Sequence, residues 1–146
     1  MIHIIRDGRD VVTSHRDRWG YQAAMRSIND WKRYVTLATE FGKKVPSDRY
    51  IEIRYEDLVT QPEDILRGLF DYLHEPWDPI VLKHHEVEHD MRESSPGFTE
   101  DSRRTASAKS AIHSSRVGAG KGELDPLLKG MLYLRAGKLL NELGYQ

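Results

Sequence analysis

The beginning of the chain constrains the fold more than any other part of the sequence. Residues 1–5 form a short apolar run, largely β-branched, that stops abruptly at the charged residues and glycine of positions 6–8. Such a run is typical of a buried parallel strand. Asp10 can cap a helix beginning near Val11, because its carboxylate can accept hydrogen bonds from the free amides of the first turn. A strand, a turn and a helix are therefore predicted within residues 1–20.

The following segments alternate between helical and extended patterns. Apolar side chains recur at spacings of four, three, four and three residues, which predicts one buried face of a helix ending near Gly42. The residues of this face are Ala24, Ile28, Trp31, Val35 and Ala38. A second strand is marked by Tyr50, Ile51, Ile53 and Tyr55. The order of elements and their short connections favour an α/β layer with parallel strands.

The second half of the sequence predicts two more helices separated by a loop. A capping box at residues 60–63 starts the first of these helices, with a core face of Ile65, Leu66, Leu69, Phe70 and Leu73. Residues 94–122 are poor in large apolar side chains, so a long loop is expected there. Asp125 and Pro126 start the last helix, which Gly144 ends. Its apolar residues are Leu128, Met131, Leu132, Leu139 and Leu143.

Composition limits the class of protein. With 146 residues and 38% hydrophobic content, the chain can bury one core and has the usual size of one domain. A net charge of -1 gives no overall basic field for nucleic acid or an anionic membrane, so any anion site must be local. The chain has no cysteine, no long apolar stretch and no signal-peptide pattern. We therefore expect a soluble cytoplasmic protein.

The predicted turn between the first strand and helix has the residues of an anion site. Arg6 leaves the carboxyl end of the strand, and Ser14 follows near the start of the helix, where backbone amides and the helix dipole favour an anion. The guanidinium and the hydroxyl can converge on one phosphate, while Gly8 lets the turn bend tightly. The alternative is a solvated surface cluster in which the charged residues of positions 6–10 pair with one another.

Residues 4–14 resemble the signature R-[DN]-P-[RK]-D-x-x-x-S, with which PAPS-dependent sulfotransferases bind the 3'-phosphate of their nucleotide donor. Gly8 stands where that family often has proline. The resemblance implies that Arg6 and Ser14 bind the 3'-phosphate.

A second block, residues 53–58, is similar to the strand end that follows in these enzymes. The resemblance implies that Tyr55 lies against the adenine of the donor, and a tyrosine at a strand end can offer a ring face or a hydroxyl to a base. Ordinary core packing is the alternative for this tyrosine. Glu56 and Asp57 are expected to be structural, satisfying backbone amides or pairing with arginines of the first turn.

A third block, residues 114–124, resembles the late loop that folds over the donor in this family and returns to its 3'-phosphate. The implied binding residues are Arg116, Val117 and Gly118. Gly120 occupies the region where many relatives have a tryptophan, which predicts looser closure of the loop. On composition alone the same glycine-rich segment is equally consistent with a flexible linker.

The three blocks occur in the order of the family. The resemblance implies an α/β fold, a partial P-loop-NTPase-like three-layer parallel sheet flanked by helices. Residues 1–146 then form the C-terminal part of a single sulfotransferase domain, with the 3'-phosphate-binding segment at 1–20 and a flexible nucleotide-covering loop at about 94–122.

The implied reaction transfers a sulfonate from PAPS to a hydroxyl or amine, leaving adenosine 3',5'-bisphosphate and using no metal. In the family, the 5'-phosphosulfate loop and the catalytic residue would lie upstream of Met1, so we expect a truncated enzyme with little activity alone. The acceptor, and whether the chain forms a homo-oligomer, stay open.

Two other functions are consistent with parts of the sequence. His85-Glu86-Val87-Glu88-His89 is a literal H-E-x-x-H, which on a helix can hold zinc with a glutamate as base. The third ligand of the extended motif is missing, since Arg92 and Ser95 stand where glycine and histidine are needed. A solvated helix face explains this segment better than a zinc protease. The other alternative is a non-catalytic module that binds 3'-phosphoadenosine nucleotides.

Overall fold

The computed structural model describes residues 1–87, 111, 112 and 114–145. In chain order its elements are β1 (Ile2–Ile5), α1 (Gly8–Trp19), α2 (Tyr21–Gly42), a 3₁₀ turn (Ser47–Arg49), β2 (Ile51–Arg54), α3 (Tyr55–Thr60), α4 (Pro62–Leu73), a 3₁₀ helix (Pro79–Glu86), α5 (Ala119–Glu123) and α6 (Pro126–Glu142). One unit consists of Met1–Thr60 and Ser114–Gln146, and a second of Gln61–His113.

Strands β1 and β2 pair in parallel, with Ile2 opposite Ile51 and Ile5 opposite Arg54. Helices α1 and α2 form the connection between them, so the predicted α/β layer with parallel strands is confirmed. The expectation of a fully buried first strand is wrong: Ile5 is 3% exposed, whereas Ile4, on the opposite face, is 52% exposed. Parallel pairing brings the carboxyl ends of both strands to one edge of the sheet.

Helix α1 begins three residues earlier than the sequence pattern predicts. Asp7 is its N-cap, and the carboxylate of Asp7 accepts a hydrogen bond from the backbone N–H of Arg9 at 2.8 Å. Asp10 therefore lies inside the first turn, and its predicted role as the cap is wrong. Gly8 is the first helical residue and lacks a positive φ. A Cβ at Gly8 would lie 3.1 Å from ring atoms of Trp31, so close packing, rather than a tight bend, accounts for the glycine.

Helices α2 and α6 supply most of the core of the first unit. The predicted face of α2 is confirmed, since Ala24, Ile28, Trp31 and Val35 are buried, and the helix packs against α1 and α6. The predicted start of α6 is also confirmed, because Asp125 accepts hydrogen bonds from two backbone amides of the first turn. In α6, Leu128 and Leu132 are buried and Met131 and Leu139 are partly buried against the core, as is Leu143 directly after the helix. Gly144, with φ of 77°, follows the end of the helix.

The predicted capping box at residues 60–63 does not form. The N-cap of α4 is Gln61, which makes no capping bond through its side chain, and the hydroxyl of Thr60 donates instead to the carbonyl of Glu56 at 2.8 Å. Within the second unit, Phe70 of α4 contacts Trp77 edge-on. Among the described residues, no helix combines the length and the hydropathy of a membrane span.

The predicted loop at 94–122 is only partly covered by the structure. Residues 94–110 and 113 lie outside the described residues. Its last part is not a loop, because α5 begins at Ala119 after a turn at residues 115–118.

Candidate functional site

Arg6 lies where the three blocks of the sequence meet. Its guanidinium carbon is 4.4 Å from the centre of the Tyr55 ring, and its Nη2 donates to the backbone carbonyl of Arg116 at 3.2 Å. Arg6 follows β1 and Tyr55 follows β2, so parallel pairing places both at one edge of the sheet. The Arg6 side chain is 21% exposed, and its buried Nε has no hydrogen-bond partner among the described residues. Arg6 therefore contacts both Tyr55 and the backbone of Arg116, and one of its donors has no acceptor among the described residues.

Asp10 joins residues 118–120 of the third block to α1 through hydrogen bonds. One carboxylate oxygen accepts a hydrogen bond from the backbone N–H of Gly118 at 2.8 Å, and the other accepts one from Gly120 at 2.7 Å. The carboxylate also lies 3.8 Å from Nη2 of Arg6. Asp10 is 2% exposed, so these bonds lie away from solvent, where a hydrogen bond is electrostatically stronger.

Gly120 is explained by the closeness of α5 to α1. A Cβ at this position would lie 2.3 Å and 2.5 Å from the carbonyl carbon and oxygen of Arg9, and 2.6 Å from the backbone nitrogen of Asp10. No side chain fits at that distance. The glycine therefore allows close contact between residues 118–120 and α1, and the looser closure of the loop over the nucleotide stays a prediction.

A buried ion pair between Arg9 and Asp7 stabilises the start of α1. The guanidinium of Arg9 donates to both carboxylate oxygens of Asp7, at 2.6 Å in the shortest contact, and to the hydroxyl of Tyr133 on α6 at 3.2 Å. The hydrogen bond to Asp7 raises the pKa of Arg9. Asp7, Arg9 and Asp10 are 4% exposed or less. The alternative of a solvated surface cluster is therefore wrong for these three residues.

Glu56 fixes the position of the turn after β1. Its carboxylate accepts a hydrogen bond from the backbone N–H of Asp7 at 2.9 Å and another from the hydroxyl of Tyr145 at 3.1 Å. The expectation that this glutamate satisfies backbone amides is confirmed. The cap and first turn of α1 are consequently tied to the start of α3.

The guanidinium of Arg116 pairs with a carboxylate of α1. Its guanidinium forms an ion pair with Asp17 at 2.6 Å, and both side chains are about two-fifths exposed. Hydrogen bonds from Arg116 and then from Arg16 lower the pKa of the Asp17 carboxyl. Val117 is partly buried in the same turn, and Gly118 has the left-handed conformation that favours glycine, with φ of 77°.

Ser14 lies in the middle of α1, beyond its first turn. Among the described residues its hydroxyl has no hydrogen-bond partner. Asp10, Ser14 and Asp17 are spaced by four and three positions, so they share one face of the helix. Because Asp10 binds Gly118 and Asp17 binds Arg116, Ser14 stands on the face of α1 that meets the third block.

A cavity of about 610 Å³ opens beside the carboxyl end of β1. Arg6, His15, Asp30 and Trp31 are among the residues that line it. Burial lowers the pKa of His15. The sequence analysis did not single out His15 or Asp30, because neither belongs to a recognised motif.

Only the first half of the H-E-x-x-H motif belongs to the described residues. His85 and Glu86 end a 3₁₀ helix, and the backbone of Val87 is extended, so this half does not continue as the α-helix that a zinc protease requires. Glu88 and His89 lie outside the described residues. Within the described ranges no group of three or more metal-ligating side chains comes together.

Comparison with known proteins shows that this chain is similar to sulfotransferases. The model of the sulfotransferase family matches residues 1–79. A protein-tyrosine sulfotransferase of Drosophila melanogaster is 28% identical over 91 residues, which cover 58% of this chain and 18% of the relative. Protein-tyrosine sulfotransferase 1 of Danio rerio is 30% identical over 93 residues, covering 59% of this chain and 26% of the relative. The match thus spans about a quarter or less of these relatives.

Solved structures share the fold over nearly the whole chain. The sulfotransferase domain of the Synechococcus PCC 7002 olefin synthase has a TM-score of 0.69 and 20% identity, covering 94% of this chain and 48% of that domain chain. The sulfotransferase domain from the curacin biosynthetic pathway has a TM-score of 0.65 and 23% identity, covering 94% of this chain and 52% of the other. The chain therefore has about half the extent of these domains.

Proposed function

Because this chain belongs to the sulfotransferase family, we propose that its first unit binds the 3'-phosphoadenosine end of the sulfonate donor PAPS. In the proposed site, Arg6 and Ser14 bind the 3'-phosphate and Tyr55 contacts the adenine. The segment around Arg116 closes over the same phosphate. The complete set of proposed binding residues is Arg6, Ser14, Tyr55, Arg116, Val117 and Gly118.

The surroundings of Arg6 carry the proposal. Its guanidinium contacts the Tyr55 ring and donates to the Arg116 carbonyl, while its Nε is buried without an acceptor among the described residues. A buried donor without a partner costs about 1–3 kcal/mol. A phosphate oxygen could supply that acceptor, and charge-assisted bonds from arginine to phosphate are among the stronger hydrogen bonds in proteins.

The donor would supply an activated sulfonate, and the acceptor would attack its sulfur through oxygen or nitrogen. The new bond to sulfur replaces the bond to the bridging oxygen, so the electron pair leaves with adenosine 3',5'-bisphosphate while the acceptor loses a proton to a base. The base is not assigned to a described residue. Since matched relatives are named protein-tyrosine sulfotransferases, a tyrosine hydroxyl is the acceptor to test first.

Calorimetric titration with adenosine 3',5'-bisphosphate tests the site. Replacing Arg6→Ala should weaken binding about tenfold or more, since a hydrogen bond to a charged group contributes about 1.5–3 kcal/mol. Ser14→Ala should have a smaller effect in the same direction. The control is Arg67→Ala, which removes an arginine of the second unit that contacts Glu63 and the Trp77 ring. Unchanged affinity in both site variants would remove the assignment of the binding residues.

Sulfonate transfer is a separate test. Labelled PAPS is incubated with the purified chain and either a tyrosine-containing peptide or a sugar, and the labelled product is measured. Transfer to the peptide and not to the sugar would support a tyrosine acceptor. Binding of the bisphosphate without transfer to either acceptor would favour the non-catalytic binding module instead.

A further inference from the structure

We propose that Asp10 is the positioning residue of the 3'-phosphate site, and this inference rests on the proposed function. The carboxylate holds residues 118–120 against α1, which fixes the Arg116 carbonyl beside Arg6. Asp10 would therefore act on phosphate binding through its neighbours, without touching the nucleotide itself.

The geometry uses both oxygens of the carboxylate. Oδ2 accepts from the backbone N–H of Gly118 at 2.8 Å, and Oδ1 accepts from that of Gly120 at 2.7 Å. These partners are 108 and 110 positions away in the sequence. The same Oδ2 lies 3.8 Å from Nη2 of Arg6, the atom that donates to the Arg116 carbonyl. One buried side chain thus connects the two segments that the proposed site needs.

The chemistry of the contact requires a carboxylate. Two N–H donors need two acceptors, whereas an asparagine offers one acceptor and one N–H₂ donor. In Asp10→Asn one glycine amide would therefore face a donor. The glycines are equally constrained, because Gly118 has a positive φ and a Cβ at Gly120 would overlap the backbone of Arg9.

The direction of the change in phosphate affinity when Asp10 is neutralised distinguishes a positioning role from a direct effect of charge. A carboxylate near a phosphate repels it, so removing the charge of Asp10 would strengthen phosphate binding if charge alone mattered. If Asp10 positions residues 116–120, removing one of its hydrogen bonds must weaken binding. The weakening must also be confined to ligands that have a 3'-phosphate.

The experiment compares Asp10→Asn with the wild-type chain by titration with adenosine 3',5'-bisphosphate and with 5'-AMP. We expect the ratio of the affinity for the bisphosphate to the affinity for 5'-AMP to fall about tenfold, because one buried N–H is left unsatisfied. The affinity for 5'-AMP should change little. Asp125→Asn is the matched control, since Asp125 also accepts hydrogen bonds from two backbone amides but caps α6. This control should leave the preference unchanged. An unchanged or increased preference in Asp10→Asn would overturn the inference.

Hydrogen exchange on the wild-type chain keeps the inference testable if Asp10→Asn does not fold. The amides of Gly118 and Gly120 should exchange slowly and become slower still with the bisphosphate. Exchange unaffected by the ligand would contradict the positioning role. A wild-type chain that does not prefer the bisphosphate over 5'-AMP would instead contradict the proposed function.

Discussion

Two arginines of the candidate site differ in how they are held. Arg6 is mostly buried, stacked on Tyr55 and bonded to a backbone carbonyl. Arg116 is about two-fifths exposed, and its charge is paired with Asp17. In the proposed site, Arg116 must exchange this carboxylate for a phosphate, while Arg6 needs only to gain an acceptor. The two residues should therefore respond differently to changes in their surroundings.

Neutralising Asp17 should strengthen nucleotide binding. In Asp17→Asn, Arg116 no longer has to leave an ion pair, and exposed pairs contribute about 0.2–1 kcal/mol, so affinity for adenosine 3',5'-bisphosphate should rise up to about fivefold. The gain should shrink at high salt because salt screens exposed charges. Calorimetry at two ionic strengths measures both effects, with Glu63→Gln in the second unit as control. Weaker binding in Asp17→Asn would mean that the pair orients residues 116–118.

Gly120→Ala should destabilise the chain because its methyl group has no space. The Cβ would meet backbone atoms of Arg9 and Asp10 at 2.3–2.6 Å, and such overpacking typically costs about 1–3 kcal/mol. Urea unfolding measures the loss. Gly122→Ala is the matched control in the same helix, since a Cβ there has nothing within 4 Å. Equal urea midpoints for the two variants would show that α5 does not rest on α1 in solution.

At the scale of elements, the sequence predicts the buried faces of α2 and α6, whereas the predicted face of α4 has no fully buried residue. Contacts that depend on distant partners are missed. The faces of α2 and α6 follow from regular apolar spacing, and the cap at Asp125 is correct because its partners are adjacent amides. Asp7 and Asp10 are both plausible caps by residue type. Asp10 is not the cap because its amide partners lie more than a hundred positions away.

The contact between α1 and α6 should depend strongly on Arg9. Arg9 joins Asp7 to the hydroxyl of Tyr133 and is 3% exposed. Arg9→Ala leaves the Asp7 carboxylate buried without its partner, which typically costs about 3–5 kcal/mol.

Urea unfolding checks this estimate against a surface control. Arg67→Ala removes an exposed ion pair with Glu63 and a contact with the Trp77 ring, which together should cost about 1–2 kcal/mol. Equal losses in the Arg9 and Arg67 variants would show that burial does not make the Arg9 pair important for stability.

At the scale of the whole molecule, the proposed site depends on contacts between segments far apart in sequence. The first unit joins Met1–Thr60 to Ser114–Gln146, and Arg6 meets the carbonyl of Arg116 across 110 positions. Local patterns predict each segment but do not specify which segments meet. The family resemblance predicted that Tyr55 and Arg116 belong to the same site as Arg6. It did not supply the role of Asp10, whose two bonds are visible only after folding.

Tyr145 is the clearest test that the two segments of the first unit are joined in solution. Its ring is stacked under Arg54, and its hydroxyl bonds to Glu56 and to the carbonyl of Ile5, 140 positions away. Burial, and then the charge of Glu56, raise its pKa above the ordinary tyrosine value. Below about pH 10 this phenol keeps its proton in both folded and unfolded chains. Above that pH the unfolded chain loses the proton first, so stability should fall as pH rises toward the folded pKa.

Urea unfolding at about pH 8 and about pH 11 isolates this contribution, because the first lies below and the second above the unfolded pKa. Tyr145→Phe should begin about 1 kcal/mol less stable because it lacks the hydrogen bond to Glu56. It should then lose less stability than the wild-type chain between the two pH values, since it has no proton to lose at that position. Tyr34→Phe, at a residue that is 64% exposed, should follow the wild type. An equal loss in Tyr145→Phe and the wild type would mean that Tyr145 is not buried against Glu56 in solution, and the docking of the last segment would have to be reconsidered.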